Sequence, residues 1–187
     1  MNSIHPLGPT LETSRLLLRP QRVEDFEGVA EMLGDEEAAR YIGGHMPRSA
    51  AWRRFLQMPG AWAMQGFAMF SVIDKHSGQW LGQTGPWHPV DWPGPEIGWS
   101  FRRAAWGQGY ALEAATAATE WAMEELGWPE VIHSIDPDNH ASQRLAQRLG
   151  SSLLRMGQLP EPYDDKAVQI WGQSREQWRA RKTQAPP

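Results

Sequence analysis

The chain has no cysteine, which removes disulfides, thiolate metal sites and a cysteine nucleophile from consideration. It has no excess of one charge sign either: 18 Lys and Arg against 22 Asp and Glu give a formal net charge of -4. A basic surface for nucleic acid or anionic membrane is therefore not expected. No apolar run approaches the roughly 20 residues that a membrane-spanning helix needs. The stretch from Met1 to Leu18 lacks a basic segment followed by an apolar one, so no signal peptide is expected and a cytoplasmic location is the simplest expectation. Tyrosine and phenylalanine are few, three and five against eleven tryptophans. Trp87, Trp92, Trp106 and Trp128 stand beside glycine or proline, and Trp62 follows Gly60 by two residues. Aromatics in such loops line pockets or plug the ends of a sheet, and the second role is expected for most of them.

What is present is ordinary globular material. The hydrophobic fraction is 41% and the charged fraction 21%, enough to build a core without staples. One domain over residues 1–187 is expected, with its core at about 11–178. Thr13 to Pro20 reads as a first strand, Glu24 to Leu33 as a helix ended by Gly34, and Ser49 to Met58 as a helix capped at Ser49 and closed by Pro59-Gly60. Phe67 to Ile73 and Trp80 to Thr84 read as a hairpin. Strands follow at Glu96 to Phe101, Glu130 to Ile135, Ser152 to Met156 and Ala167 to Trp171. Between them lie an Ala-rich helix from Tyr110 to Leu126 and a helix from Asn139 to Leu149 that Gly150 ends. Ser174 and Gln177 have the spacing of a capping box. The order is mixed α/β, or α+β. The strands at 96–101 and 130–135 flank a helix, so they should be parallel neighbours.

One segment carries chemistry. Gly107-Gln108-Gly109 follows a strand and opens the long helix. Glycines let backbone approach a ligand, and the free N–H groups of a first helical turn favour an anion, a pyrophosphate above all. A Rossmann fingerprint would need a third glycine where Leu112 stands, and a phosphate-binding loop would need a Gly-Lys-Ser/Thr ending. A nucleophile elbow starting at Gly98 would need glycine where Arg102 stands.

The stretch Arg103-Ala104-Ala105-Trp106-Gly107-Gln108-Gly109-Tyr110-Ala111-Leu112-Glu113-Ala114 resembles the acetyl-CoA motif of the GCN5-related N-acetyltransferases. The likeness is greatest to the branch of the ribosomal-protein-alanine N-acetyltransferases. Leu11 to Pro20, Glu24-Asp25, Glu96-Ile97-Gly98-Trp99 and Asp136 to Gly150 resemble other segments of that family in the same order. The resemblance implies a single domain with a central mixed sheet of six or seven strands. That sheet would be flanked by helices and splayed between two parallel strands. It implies acetyl-CoA as cosubstrate, with the backbone of Ser100, Phe101 and Arg102 pairing with the pantetheine arm. Gly107, Gln108, Gly109, Tyr110 and Ala111 would hold the pyrophosphate, and Asn139 and Ser142 would form the other wall. The family's Gln or Arg three residues before the first glycine is Ala104 here, with Arg103 beside it.

The implied activity is direct acetyl transfer to a primary amine, on a protein N-terminus or a small molecule. A coenzyme-A-binding sensor without catalysis is the alternative. Glu96 is the candidate base, against a strand carboxylate satisfied by a basic neighbour. The resemblance implies carbonyl-polarising N–H groups near Trp99 and Ser100 if the strand bulges there. Many family members carry a tyrosine acid where Ala146 stands here, so Ser142 is the candidate donor to the thiolate, against an ordinary first-turn serine. Glu161, Asp164 and Asp165 read as a solvated loop. His88, His133 and His140 lack metal-ligand spacing, and no metal is expected. The acceptor site should be shaped by Tyr41 to Trp62, Trp87 to Pro95 and the loop after Met156, with aromatic walls. The sequence is compatible with a homodimer.

Overall fold

The computed structural model describes residues 7–184; both ends of the expected 1–187 domain lie outside the described residues. Its strands are Leu11–Glu12 (β1), Leu16–Arg19 (β2), Phe70–Asp74 (β3), Trp80–Trp87 (β4), Glu96–Phe101 (β5), Glu130–Ile135 (β6), Ser152–Gln158 (β7) and Ala167–Ser174 (β8). Its helices are Phe26–Gly34 (α1), Glu36–Ala39 (α2), Arg48–Phe55 (α3), Gln57–Gln65 (α4), Tyr110–Glu124 (α5), His140–Leu149 (α6) and Arg175–Gln184 (α7). All eight strands form one sheet in the order β1-β2-β3-β4-β5-β6-β8-β7. The eighth is the two-residue β1, ahead of the expected first strand.

Every neighbouring pair is antiparallel except β5 and β6. These two run parallel and meet at Glu96 and Ile132 only, then diverge. That divergence is the expected splay, and it opens the middle of the sheet.

Adjacent strand residues face opposite sides of a sheet, and the two sides bury different cores. Phe70, Val72 and Leu81 join α5 through Ala114, Ala118 and Ala122, all fully buried. Alanine on that face lets α5 lie close against β4 and β5. Ile73 and Trp80 join Phe26, Val29, Met32 and Leu33 of α1 and Phe55 of α3.

Asp25, beside α1, shows how the first strand and first helix are tied. Its buried carboxylate accepts bonds from Arg19 Nη1 at 2.7 Å and Nη2 at 2.8 Å, from Ser71 Oγ at 2.7 Å and from the Arg22 N–H at 2.9 Å. Removing one partner of a buried pair strands the other charge. Asp25→Ala should therefore cost about 3–5 kcal/mol, to be read as the shift in urea unfolding midpoint at constant slope.

Two expectations change here. The helix starting near Ser49 begins at Arg48 on Pro47, without a side-chain cap. Pro59-Gly60 does not close it, because a new helix, α4, starts at Gln57. Pro59 falls in the first turn of α4, where a missing N–H costs no helical bond. The capping box at Ser174 forms as expected: Ser174 N–H donates to Gln177 Oε1 at 2.8 Å, and Gln177 N–H to Ser174 Oγ at 3.2 Å.

Candidate active site

The turn before α5 takes its shape from two glycines. Gly107 has φ 73° and Gly109 φ 79°, in the left-handed region that costs other residues about 1–2 kcal/mol. Gly109 is the N-cap of α5, so no side chain occupies the N–H groups of the first turn. They stay available to an anion.

The turn is latched from the far side. Arg15 donates through Nη1 to the Gln108 carbonyl at 2.9 Å and pairs through Nε with Glu113 at 2.7 Å. Desolvation alone would raise the Glu113 pKa. Bonds from Thr13, the Arg15 backbone and side chain, and Ser14 outweigh it and bring it down to about 2.

The opposite wall is the start of α6. Asn139 caps it, its side chain accepting from the Ser142 N–H at 3.1 Å. Between the two helix starts lies a cleft of about 630 Å³. Ser100, Phe101, Gly107, Gly109, Tyr110, Ala111, Asn139 and Ser142 line it; Arg102 and Gln108 do not. Gln108 is turned back on the chain, its side chain bonding the Ala104 carbonyl at 2.8 Å.

Backbone direction along β5 explains Arg102. Its N–H donates to the Leu81 carbonyl at 3.0 Å, and alternation points Ser100 toward β4 as well. Ile97 faces the other way, its carbonyl taken by His133 Nδ1 at 2.8 Å. Ile97, Trp99 and Phe101 thus present their backbone groups to the splay, and the Phe101 carbonyl is already held by Trp106 Nε1 at 2.9 Å. The pairing of β5 with β4 runs without a register shift from Phe101 to Glu96. The opening therefore comes from divergence of β6, and the bulge that the resemblance ties to carbonyl-polarising N–H groups at Trp99 and Ser100 is absent from the pairing of β5 with β4.

His133, whose place in the sequence marks it only as lacking metal-ligand spacing, wedges that divergence. It is fully buried, bonded to Ile97 and at 2.9 Å to Ser151 Oγ, with the Trp99 ring 4.8 Å away. Burial pushes its pKa down to about 4, so it is neutral near pH 7. With Nδ1 donating to the Ile97 carbonyl, Nε2 accepts from Ser151. Trp99 in turn donates Nε1–H to Ser142 Oγ at 3.1 Å. The serine hydroxyl thus accepts one bond and keeps its own proton to give.

A second cavity, of about 190 Å³, lies on the other side of Trp99. It brings together Tyr41, Ile42, Gly43, Arg54, Phe55 and Met58 with Trp87 and Trp92, and with Leu159 and Tyr163. All three regions expected to shape an acceptor site meet there. Glu161, Asp164 and Asp165 remain exposed. Glu96 lines this cavity at 8% exposure. Burial drives its pKa up, the Trp92 indole N–H at 2.6 Å and the adjacent Ser134 restrain the rise, and the result is about 7. No basic neighbour satisfies it, since no Lys or Arg lies within 4.0 Å among the described residues. The two cavities share Tyr41, Ile42, Trp99, Ser100, Asn139 and Ser142. Tyr41, whose hydroxyl donates to the Asp138 carbonyl at 3.2 Å, had no signal in the sequence beyond its place in a poorly patterned region.

Among the described residues no group of three or more His, Asp or Glu could hold a metal, and no helix is long and apolar enough to cross a membrane.

The acetyltransferase (GNAT) domain model matches residues 15–152. The Bacillus subtilis protein YkkB is 38% identical over 87 residues, covering 46% of this chain and about half (51%) of its own length. The N-acetyltransferase p20 of Bacillus licheniformis is 28% identical, over 75% of this chain and 80% of its own. Among solved structures, the acetyltransferase from Agrobacterium tumefaciens superposes with a TM-score of 0.79 at 28% identity, over 89% of this chain and 95% of its own.

Proposed function

Because the chain belongs to the GNAT acetyltransferase family, we propose that it transfers an acetyl group from acetyl-CoA directly to a primary amine. The observation that carries this is the junction of the two cavities. A cleft that ends on uncapped helical N–H groups meets an aromatic cavity holding a buried carboxylate, and they meet at Trp99 and Ser142. The unit doing this is one domain with its core at about residues 11–178.

The residues fit the cosubstrate. Gly107 to Ala111 offer backbone donors for a pyrophosphate, and the open edge at Trp99 and Phe101 offers a ladder for an amide-bearing arm. When bound, acetyl-CoA supplies the thioester whose acyl carbon the amine attacks. Glu96, poised near pH 7, takes the proton that an ammonium must lose before it can attack. The backbone N–H of Trp99 polarises the carbonyl oxygen. Ser142, oriented by Trp99, would give its proton to the departing sulfur and recover one, directly or through water, from the nitrogen that loses its proton on becoming the amide.

An acceptor cavity of about 190 Å³ is small beside the ~300–1,000 Å³ of drug-sized sites. It favours a small amine, or the first residue of a peptide, over a bulky acceptor.

Two measurements test the proposal. Acetyl-CoA, and not NAD, should raise the melting temperature; no stabilisation by acetyl-CoA would overturn the cosubstrate. Thiol release across an amine panel should identify an acceptor, whereas binding without release on every amine would favour the non-catalytic sensor. Ser142→Ala should lower kcat roughly 10²- to 10⁴-fold while the Kd for acetyl-CoA stays within a few fold. An unchanged kcat would remove Ser142 as the acid.

A further inference from the structure

Arg54, on α3, lines the second cavity half-buried, and its surroundings are unlike those of the buried Arg19. Arg19 is matched by the Asp25 carboxylate through two nitrogens. The Arg54 guanidinium has no carboxylate within 4.0 Å among the described residues, and its hydrogen bond is to the Ile42 carbonyl, through Nη1 at 2.5 Å. A guanidinium has five N–H donors in a planar fork and stays charged at any working pH. Drawing such a group partly out of water with most of its donors unmet by protein carries a cost that an arriving anion would offset. The head group sits against Gly43, where a built Cβ would fall 2.8 Å from Nη1, with Tyr163 beside it. It stands at the cavity wall, partly open to solvent.

We propose that the acceptor is a small amine that also carries a carboxylate, and that Arg54 receives that carboxylate in the cavity where Glu96 faces the amine. This rests on reading the cavity as the acceptor site. The charges are complementary. The amino group needs a base and finds Glu96; the acid group needs a cation and finds Arg54; the body between them meets Trp87, Trp92 and Tyr163. Burial lowers the Arg54 pKa, in keeping with a charge stabilised better with its partner than without. A fork that accepts two carboxylate oxygens at once also fixes orientation, so the amine would be presented in one direction.

The test uses α-, β- and γ-amino acids, each beside its decarboxylated amine and its carboxamide, with thiol release as the readout. For every acid that turns over, kcat/KM should exceed that of its two neutral counterparts by about 10- to 100-fold, the range of a hydrogen bond to a charged group. Arg54→Met should erase that preference by raising KM for the acids alone, and Arg54→Lys should keep part of it. Equal turnover of acids, amines and carboxamides by the unaltered protein would overturn the proposal and leave acetyl transfer standing. Equal loss on all substrates in both variants would make Arg54 merely a brace for the Ile42 loop, and would overturn it too. If no amine turns over, calorimetry of the same compounds on the coenzyme-A-loaded protein decides. Binding of acids that Arg54→Met abolishes supports the anion site without the chemistry. Absence of any acid binding refutes it.

Discussion

Glu96→Gln should lower kcat by roughly 10²- to 10⁴-fold, the usual contribution of a positioned base, and leave the Kd for acetyl-CoA unchanged. Glutamine keeps the shape and can still accept the Trp92 hydrogen bond, so the loss would report the proton and not the packing. In the unaltered protein the rate should rise with pH through about 7 and then level, because the base must be ionised to act. That limb should vanish in the variant. A rate within a few fold of the original would exclude Glu96 as the base.

The same residue carries a stability signature of opposite sense. The folded protein keeps the Glu96 proton up to about pH 7, whereas the unfolded chain releases it near 4.5. The stability tied to that proton is whole below about pH 4.5 and is lost as pH rises to about 7. Glutamine cannot ionise. The variant should therefore melt above the unaltered protein at about pH 8 and alongside it at about pH 4.5. Equal melting temperatures at both would mean that the carboxylate is better solvated than its burial implies.

Gly109→Glu should raise the Kd for acetyl-CoA at least about 100-fold, since a carboxylate would stand where the helix N-terminus favours an anion. The fold should survive. A Cβ at this position would meet only Arg15 Nη2, at 3.4 Å, so the folding cost is the left-handed backbone, about 1–2 kcal/mol. Gly109→Ala separates the causes: it carries the backbone cost without the charge and should bind far better than the glutamate variant. Near-normal affinity in Gly109→Glu would move the pyrophosphate elsewhere.

The parts of this site that could be read in the sequence are those that local chemistry specifies. Glycine at 107 and 109 before an Ala-rich helix announces a bare helix N-terminus, and Asn139 with Gly150 brackets the facing helix. Strands β5 and β6 are legible to the residue because each starts directly after a proline, Pro95 or Pro129, and mixes apolar with small or polar residues up to a charged one. Local signals failed where packing decided. Pro59-Gly60 reads as a stop, yet α4 buries Trp62 and Met58 and keeps Pro59 where it costs nothing. Arg102 reads as a partner for the pantetheine arm, but strand alternation spends its N–H on β4.

The sequence by itself determined a mixed α/β chain, a helix start open to an anion and a carboxylate on the central strand, because each follows from residues near one another along the chain. Only the tertiary structure decided that Glu96 is buried with its pKa raised to about 7, that Trp99 turns Ser142, that His133 wedges the splay, and that Arg54 has no carboxylate within 4.0 Å among the described residues while lining the same cavity. Each of these depends on which distant segments exclude water from a group, and that is set by the packing of the whole sheet against its helices and by no stretch of sequence alone.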